Sequence, residues 1–163
     1  MGTIRIELKP SAGFFFAIMA VTSAALLGWT QGLGAAAIVT ASVLLHVCGH
    51  AGLALLCGVK VRTIGLSFRG GYTIRERSHR TVVEFLTTLA GPCVNGVLYL
   101  LFAHIAGRAG AWIALLNLVL LIFNLVPFGP SDGYRLWRLL TYEAFGARRT
   151  ADFQSPLPSK RGF

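Results

Sequence analysis

Long apolar stretches without a charged residue dominate the chain. No Lys, Arg, Asp or Glu occurs from residue 10 to 59, from 85 to 107 or from 109 to 131. A membrane-spanning helix needs about 20 predominantly apolar residues, so the first stretch is long enough for two spans and each of the others for one. The polar, glycine-rich segment at residues 28–34 divides the first stretch. The pattern therefore predicts four transmembrane helices, near residues 13–29, 35–58, 82–106 and 111–127.

Two segments outside these spans predict irregular structure. Residues 59–74 carry β-branched residues in rough alternation around Gly70 and Gly71, which favours a short β-hairpin with its turn at the two glycines. After the fourth span, Pro127 and Pro130 cannot continue a helix, so the helix should break there. The expected fold class is an all-α polytopic membrane protein with four transmembrane helices, a short interfacial β-hairpin and a broken fourth helix.

Composition agrees with a membrane protein of one domain. Hydrophobic residues make up 55% of the 163 residues and charged residues only 13%, whereas about a quarter of a soluble domain is charged. Residues 1–146 are predicted to form a single membrane-embedded domain. Residues 147–163 are predicted to be a polar, basic and disordered tail.

The net charge of +9 is unevenly distributed along the chain. Six Lys and Arg residues lie between residues 60 and 80, whereas the other two connections between spans contain only Arg108. Basic loops remain in the cytoplasm. We therefore expect a multi-pass protein of a bacterial plasma membrane with this loop and both termini in the cytoplasm. Topology and attraction to anionic membrane lipid explain the charge, and no nucleic-acid partner is expected.

Three side chains are candidates for a metal site. His46 and His50 are four residues apart, so on a helix both imidazoles leave the same face. Ionisable groups within a span are costly and indicate a functional site that faces the bundle interior. Asp132, one of two aspartates in the chain, follows the predicted helix break and falls on the same side of the membrane as His50. The alternatives are two neutral, hydrogen-bonded histidines and an ordinary interfacial turn at Asp132.

Three short motifs follow one another along the predicted spans: HVCGH at residues 46–50, AGPCVN at 90–95 and NLVPFGPSDG at 124–133. Together they resemble the site-2 proteases, a family of intramembrane zinc metalloproteases. That family carries, in the same order, His-Glu-x-x-His on one span, Ala-Gly-Pro-x-x-Asn on the next and an Asn…Pro…Asp-Gly segment on a later one. The resemblance implies one zinc ion bound by His46, His50 and Asp132. It also implies that Asn95 lies near the site, where its amide holds a substrate carbonyl or oxyanion.

The resemblance further implies the partners of the chain. Transmembrane protein segments would be substrates or clients, bound near the cytoplasmic face. The hairpin edge near Gly70 and Gly71 would take such a segment in extended form, although a plain structured loop is an equal alternative. Membrane lipid and a regulatory membrane protein are the other expected partners.

One residue of the family pattern is missing. Val47 stands in the position of the family's glutamate, which takes a proton from the attacking water and returns it to the leaving amine. Valine can do neither, and general acid–base catalysis is typically worth about 10²- to 10⁴-fold. We therefore expect a zinc site with little or no peptidase activity. A natural substitution is favoured over an engineered one, because a designed knock-out would more usually be Gln or Ala.

Other interpretations remain open to different degrees. A relocated base would come from Glu84, which more simply reaches the interface or pairs with Arg80, or from His79 in the loop. The main rival to a protease is a non-enzymatic binder that sequesters or escorts a membrane client. A bis-histidine haem protein needs two histidines at the same depth in the membrane. It is disfavoured because His104 lies at the outer end of the third span, whereas His50 lies nearer the cytoplasmic end of the second. A serine intramembrane protease lacks its Gly-x-Ser-x-Gly motif, and a transporter would show internal repeats.

Overall fold

The computed structural model describes residues 3–67, 70–78, 80–105, 107–129 and 131–146. Five helices and three strands are found within these residues. In chain order they are β1 (Arg5–Leu8), α1 (Ser11–Leu27), α2 (Trp29–Leu56), β2 (Val61–Ser67), β3 (Gly70–Arg75), α3 (Thr81–Ala103), α4 (Arg108–Leu125) and α5 (Asp132–Gly146). The tail predicted to be disordered, 147–163, lies outside the described residues.

A single glycine separates the first two helices. Gly28 has a φ of 82°, which residues with a side chain rarely adopt, and it lies between the last residue of α1 and the first of α2. Helix α2 returns closely along α1 because Gly32 lies against the backbone of Ala24, where a Cβ would not fit. Helix α2 therefore begins at Trp29, before residue 35, where the second span is predicted to start. The bounds of a span within this helix remain a prediction. The chain breaks at Gly28, whereas Gly32 lies inside α2 and serves the packing of that helix on α1.

The fold is mostly helical, as expected, and a three-stranded sheet accompanies the helices, one strand more than the predicted hairpin. Strands β2 and β3 form the predicted antiparallel hairpin, and β1 pairs in parallel with β2. Strand β1 is only four residues long and is stabilised by pairing with β2, so the local sequence pattern did not predict it. Gly70 and Gly71 are the first residues of β3 and not the predicted turn. In the order β1-β2-β3, strand β3 is an edge strand.

The sheet packs against the C-terminal half of α2. The apolar contact between them comprises Ala51, Ala54, Val59, Val61 and Ile64. The hydroxyl of Thr73 in β3 donates a hydrogen bond to the carbonyl of Val47, at 3.5 Å. Gly71 permits this approach, because a Cβ there would overlap the side chain of Val47. Strand β3 is thereby held directly over the turn of α2 that carries the two histidines.

Small residues bring α2 and α3 together. A Cβ at Gly49 would meet a methyl of Val94 at 2.7 Å and the carbonyl oxygen of Ala90 at 3.0 Å. Within a membrane, such small residues let helix backbones approach and pack. The AGPCVN segment of α3 consequently lies alongside the histidines of α2.

The predicted break after α4 is present. Val126 ends α4 in an extended conformation, which the residue before a proline prefers. Ser131 then caps α5, since its Oγ accepts a hydrogen bond from a backbone N–H of the first turn at 3.1 Å. Gly133 lies against the carbonyl of Leu125, so α5 starts beside the end of α4. The break therefore turns Asp132, the first residue of α5, back toward the other helices.

Two of the described helices, α2 and α3, are long and apolar enough to cross a membrane by length and composition. Helices α1 and α4 contain apolar segments that are shorter. Four spans therefore remain a prediction, as does the orientation of the termini.

Candidate metal centre

The three predicted metal ligands converge on one point. The Nε2 atom of His46 lies 3.0 Å from Nε2 of His50 and 3.0 Å from Oδ2 of Asp132. The same Oδ2 lies 3.1 Å from Nε2 of His50. These atoms form a nearly equilateral triangle. Within the described part of the chain, they are the group of His, Cys, Asp or Glu side chains placed to share a metal ion.

The spacing of the three atoms fits zinc. Nitrogen and oxygen ligands of tetrahedral zinc lie about 2.0–2.1 Å from the ion, which puts them roughly 3.3 Å from each other. The separations of 3.0 to 3.1 Å are close to that value. Two imidazoles and a carboxylate are a donor set that zinc uses, and three protein ligands leave the fourth position open. The donor set and its geometry thus fit the metal that the sequence motifs imply.

Asp132 contributes a buried negative charge. Burial raises the pKa of its carboxyl, but contacts with His46 and His50 lower it more, so the pKa of Asp132 lies below its usual value. The residue is only 8% exposed, so a negative charge on this carboxylate needs a positive partner, either a protonated imidazole or a bound cation. A metal ion shared with the two histidines would provide that partner.

Helix α3 orients both histidines. Nδ1 of His50 lies 2.8 Å from the carbonyl oxygen of Thr87, and Nδ1 of His46 lies 2.7 Å from Oδ1 of Asn95. Both partners are oxygen acceptors, so each Nδ1 donates its hydrogen and each Nε2 keeps its lone pair for the shared point. Metal-ligating histidines usually have such a partner on the second ring nitrogen. The AGPCVN motif predicted that Asn95 lies near the site, whereas nothing in the sequence predicted that the carbonyl of Thr87 contacts His50.

Asn95 is fully buried, and both ends of its amide are bonded within the fold. Its oxygen contacts His46, and its Nδ2 donates to Oδ1 of Asn117 at 3.3 Å. It is absent from the described residues that line the cavity beside the metal centre. The predicted contact with a substrate carbonyl or oxyanion remains a prediction, and the structure adds a contact with a candidate metal ligand.

Gly91 provides the space in which the histidines meet. A Cβ at this position would lie 2.7 Å from Nε2 of His46 and still closer to Nε2 of His50. Any side chain at residue 91 would therefore occupy the space between the ligand atoms.

Gly91→Ala is expected to reduce zinc binding strongly while the fold persists. The new methyl meets the far ends of two flexible side chains, so the imidazoles can turn away, but they then no longer converge. Zinc content measured by atomic absorption should fall well below that of the unchanged protein, at equal helix content by circular dichroism. Gly96→Ala is the matched control, because its Cβ would meet only Leu121, at 3.8 Å. Full zinc content in Gly91→Ala would contradict the geometry.

The open side of the centre faces a cavity of about 350 Å³. Its walls include the three candidate ligands together with Val47, Gly71, Thr73 and Asn124. Edge strand β3 therefore forms one wall of the cavity. Of the two glycines predicted to bind substrate, Gly71 lines the cavity, and Gly70 precedes it in the strand.

Val47 occupies the position of the family's general base and is 2% exposed. Its side chain lines the cavity and packs on β3 at Gly71. Among the described residues lining this cavity, Asp132 supplies the only carboxylate. The structure therefore places an apolar group where the family's chemistry requires a proton acceptor.

Glu84 lies outside this cavity and is engaged elsewhere. Its Oε1 and Oε2 accept hydrogen bonds from Arg75 at 2.7 and 2.9 Å, and Oε1 also accepts one from the backbone of Ser78 at 2.6 Å. The expected pairing with Arg80 is wrong, because the end of β3 brings Arg75 to the first turn of α3. Neither carboxylate oxygen is placed to act at the metal centre. The other candidate base, His79, lies outside the described residues.

Comparisons with known proteins agree with this site. The profile of the Peptidase M50B-like family matches residues 12–145. Rip3 of Mycobacterium tuberculosis, assigned by name as a zinc metalloprotease, is 33% identical over 135 residues, which cover 75% of this chain and 34% of that protein. A similarly assigned protein of Synechocystis sp. is 32% identical over 128 residues, or 72% of this chain and 34% of its own length. The chain thus spans about a third of the length of these curated relatives.

A solved structure shows the same likeness. The site-2 protease from Methanocaldococcus jannaschii superimposes with a TM-score of 0.70 at 25% identity, covering 94% of this chain and 74% of that one. Because the family profile covers most of the chain and the curated relatives exceed 30% identity over more than two thirds of it, this chain belongs to the Peptidase M50B-like family, the site-2 proteases.

Proposed function

We propose that this chain is a site-2-protease homologue that binds one zinc ion and holds transmembrane protein segments near the cytoplasmic face, with little or no peptidase activity. The observation that carries the proposal is a complete set of candidate ligands beside Val47, which is buried at the position of the general base. The alternative is a pseudoprotease that sequesters or escorts a membrane client without any hydrolysis, and the same valine favours it.

The chain's own residues define what the site can do. His46, His50 and Asp132 would hold the zinc ion, which when bound supplies Lewis-acid chemistry for peptide hydrolysis. Val47 carries no atom that takes up or returns a proton. The ligands are held by α2, α3 and α5 and do not depend on residue 47 for their position. Metal binding and proton transfer are therefore separable here, and we propose that the chain retains the first and lacks the second.

Edge strand β3 supports the binding of an extended segment. The backbone N–H and C=O groups on the free edge of a sheet can pair with an added strand. Strand β3 has such an edge and lines the cavity next to the candidate ligands. A client segment on this edge would lie beside the metal centre, where an active relative would cut it. Membrane lipid surrounds the helices in this proposal, and a regulatory membrane protein is a further proposed partner.

Photo-crosslinking should distinguish the two edges of the sheet. Ile74 in β3 and Ile6 in β1 are exposed edge-strand isoleucines, at 49% and 87%. With a photoreactive amino acid at one or the other position, a helix-destabilised transmembrane test segment should crosslink at residue 74 and not at residue 6. Equal crosslinking at both positions would show that β3 is not the binding edge and would contradict this part of the proposal.

The proposed topology is tested by reporter fusions. The basic connection between α2 and α3 is proposed to lie in the cytoplasm with both termini, because Lys and Arg are retained on that side. Reporters fused after Gly28 and after Arg75 should therefore lie on opposite sides of the membrane. The same side for both fusions would rule out this topology.

A further inference from the structure

A line of buried amides runs from the candidate metal centre into α4. Asn95 of α3 and Asn117 of α4 are both 0% exposed. Asn95 Nδ2 donates to Asn117 Oδ1 at 3.3 Å, and Asn117 Nδ2 donates to the backbone carbonyl of Ile113 at 2.9 Å. At the other end, Asn95 Oδ1 lies 2.7 Å from Nδ1 of His46. Three helices are thus linked by side chains that end at one candidate ligand.

Asn117 belongs to none of the three family motifs. It lies in the apolar segment ALLNLVLL at residues 114–121 of α4. A polar side chain buried within such a helix is unfavourable unless it is fully hydrogen-bonded, and in a membrane it indicates a functional site by default. Its hydrogen bond to Asn95 connects it to the metal centre, which supplies a reason for its burial.

The carbonyl at the far end sets the direction of every hydrogen bond in the line. A backbone carbonyl only accepts, so Asn117 must present its NH₂ group to Ile113 and its oxygen to Asn95. Asn95 must then present its NH₂ group to Asn117 and its oxygen to His46. His46 can bond to that oxygen only by donating from Nδ1, which leaves the lone pair of the neutral ring on Nε2, toward Asp132.

We propose that Asn117, acting through Asn95, is a positioning residue that holds His46 with its hydrogen on Nδ1 and its Nε2 aimed at the metal. The inference rests on the proposed zinc binding. His50 receives the same orientation from a different source, the backbone carbonyl of Thr87. The two histidines therefore differ in a testable way, since side-chain substitutions in α3 and α4 change the partner of His46 and leave that of His50 in place.

The test compares five versions of the full chain, namely the unchanged protein, Asn95→Leu, Asn117→Leu, Asn95→Asp and Thr40→Val. Zinc affinity is measured by competition with a chelator, and substitution of such supporting groups typically weakens metal binding by about 10- to 100-fold. We expect that loss for Asn95→Leu and a smaller loss for Asn117→Leu. Asn95→Asp should lose less affinity than Asn95→Leu, because a carboxylate oxygen still accepts a hydrogen bond from Nδ1 of His46. Thr40→Val removes a half-buried hydroxyl of α2 that bonds to the carbonyl of Ala36, and it should bind zinc normally.

A second readout does not depend on zinc. In ¹⁵N-histidine spectra of the metal-free chain at alkaline pH, Nδ1 of His46 should carry the hydrogen in the unchanged protein, and both leucine variants should shift the hydrogen partly to Nε2. Nδ1 of His50 should keep its hydrogen in every variant, because the carbonyl of Thr87 is unchanged. Equal helix content by circular dichroism shows that each variant remains folded.

Distinct results separate this inference from the proposed function. Absence of zinc from the unchanged protein would refute the proposed function, and the nitrogen spectra would still decide the role of Asn117. Unaltered His46 resonances in both leucine variants would overturn the inference, as would equal affinity losses in Asn95→Asp and Asn95→Leu.

Discussion

Val47→Glu is expected to raise the rate of cleavage of a helix-destabilised transmembrane substrate by about 10²- to 10⁴-fold, the usual contribution of general acid–base assistance. Residue 47 follows His46 on the helix and lines the cavity beside the candidate ligands. Gly71 opposite it carries no Cβ that would block a longer side chain. A carboxylate at this position can reach into the cavity and accept a proton from the attacking water.

Val47→Gln is the matched control for this experiment. Glutamine has nearly the same size and shape as glutamate, so it tests whether the longer side chain alone changes activity, and it cannot accept the proton. Cleavage should be measured from purified protein and substrate in detergent or liposomes, together with zinc content. If Val47→Glu binds zinc and remains inactive on several substrates, the binder without hydrolysis becomes the better description.

Glu84 as the general base is the hypothesis that a different result would support. If the unchanged protein already cleaves well and Glu84→Gln abolishes that cleavage, the assignment of Glu84 to a structural ion pair with Arg75 is wrong. The bonding of both Glu84 oxygens in the present structure predicts the opposite result.

Asp132→Ala and His50→Ala are each expected to reduce bound zinc from about one ion per chain to near zero, since three protein ligands are the usual minimum for such a site. Asp132 supplies the only negative charge among the candidate ligands, and His50 is one of two nitrogen donors. Glu84→Gln is the control, because it removes another largely buried carboxylate that lies outside the triangle of ligand atoms. Zinc content that is unaffected by both alanine substitutions would support two structural histidines and refute the metal centre.

The three motifs made much of the site predictable. The spacing of His46 and His50 is a property of a single helix, so the sequence sufficed to put both imidazoles on one face. The proline after Val126 likewise predicted where the fourth helix breaks, because proline restricts its own residue and the one before it. That Asp132 then returns to within 3.0 Å of His46 was a hypothesis until the packing of α5 was known.

The sequence pattern gave wrong predictions at several glycines, because glycine occurs both in turns and at close contacts between elements. Glycines at residues 32 and 34 suggested a wide break between spans, yet both lie inside α2, and Gly32 allows that helix to pack on α1. Gly70 and Gly71 suggested a turn, yet they begin β3, where Gly71 lets the strand approach Val47. Whether a glycine supplies backbone freedom or close packing depends on its neighbours in space, which the sequence does not contain.

By itself, the sequence determined the apolar helices, the ligand candidates, the break before Asp132 and the valine at the position of the family's glutamate, because each follows from one residue or from the period of one helix. Only the tertiary structure decided which polar groups meet. The partners on Nδ1 of His46 and His50 lie 49 and 37 residues away, in a different helix. Asn117 meets Asn95 only because α4 packs on α3, and Arg75 reaches Glu84 only because β3 ends beside α3. Such hydrogen bonds require fixed distances between separate elements, and packing alone sets those distances.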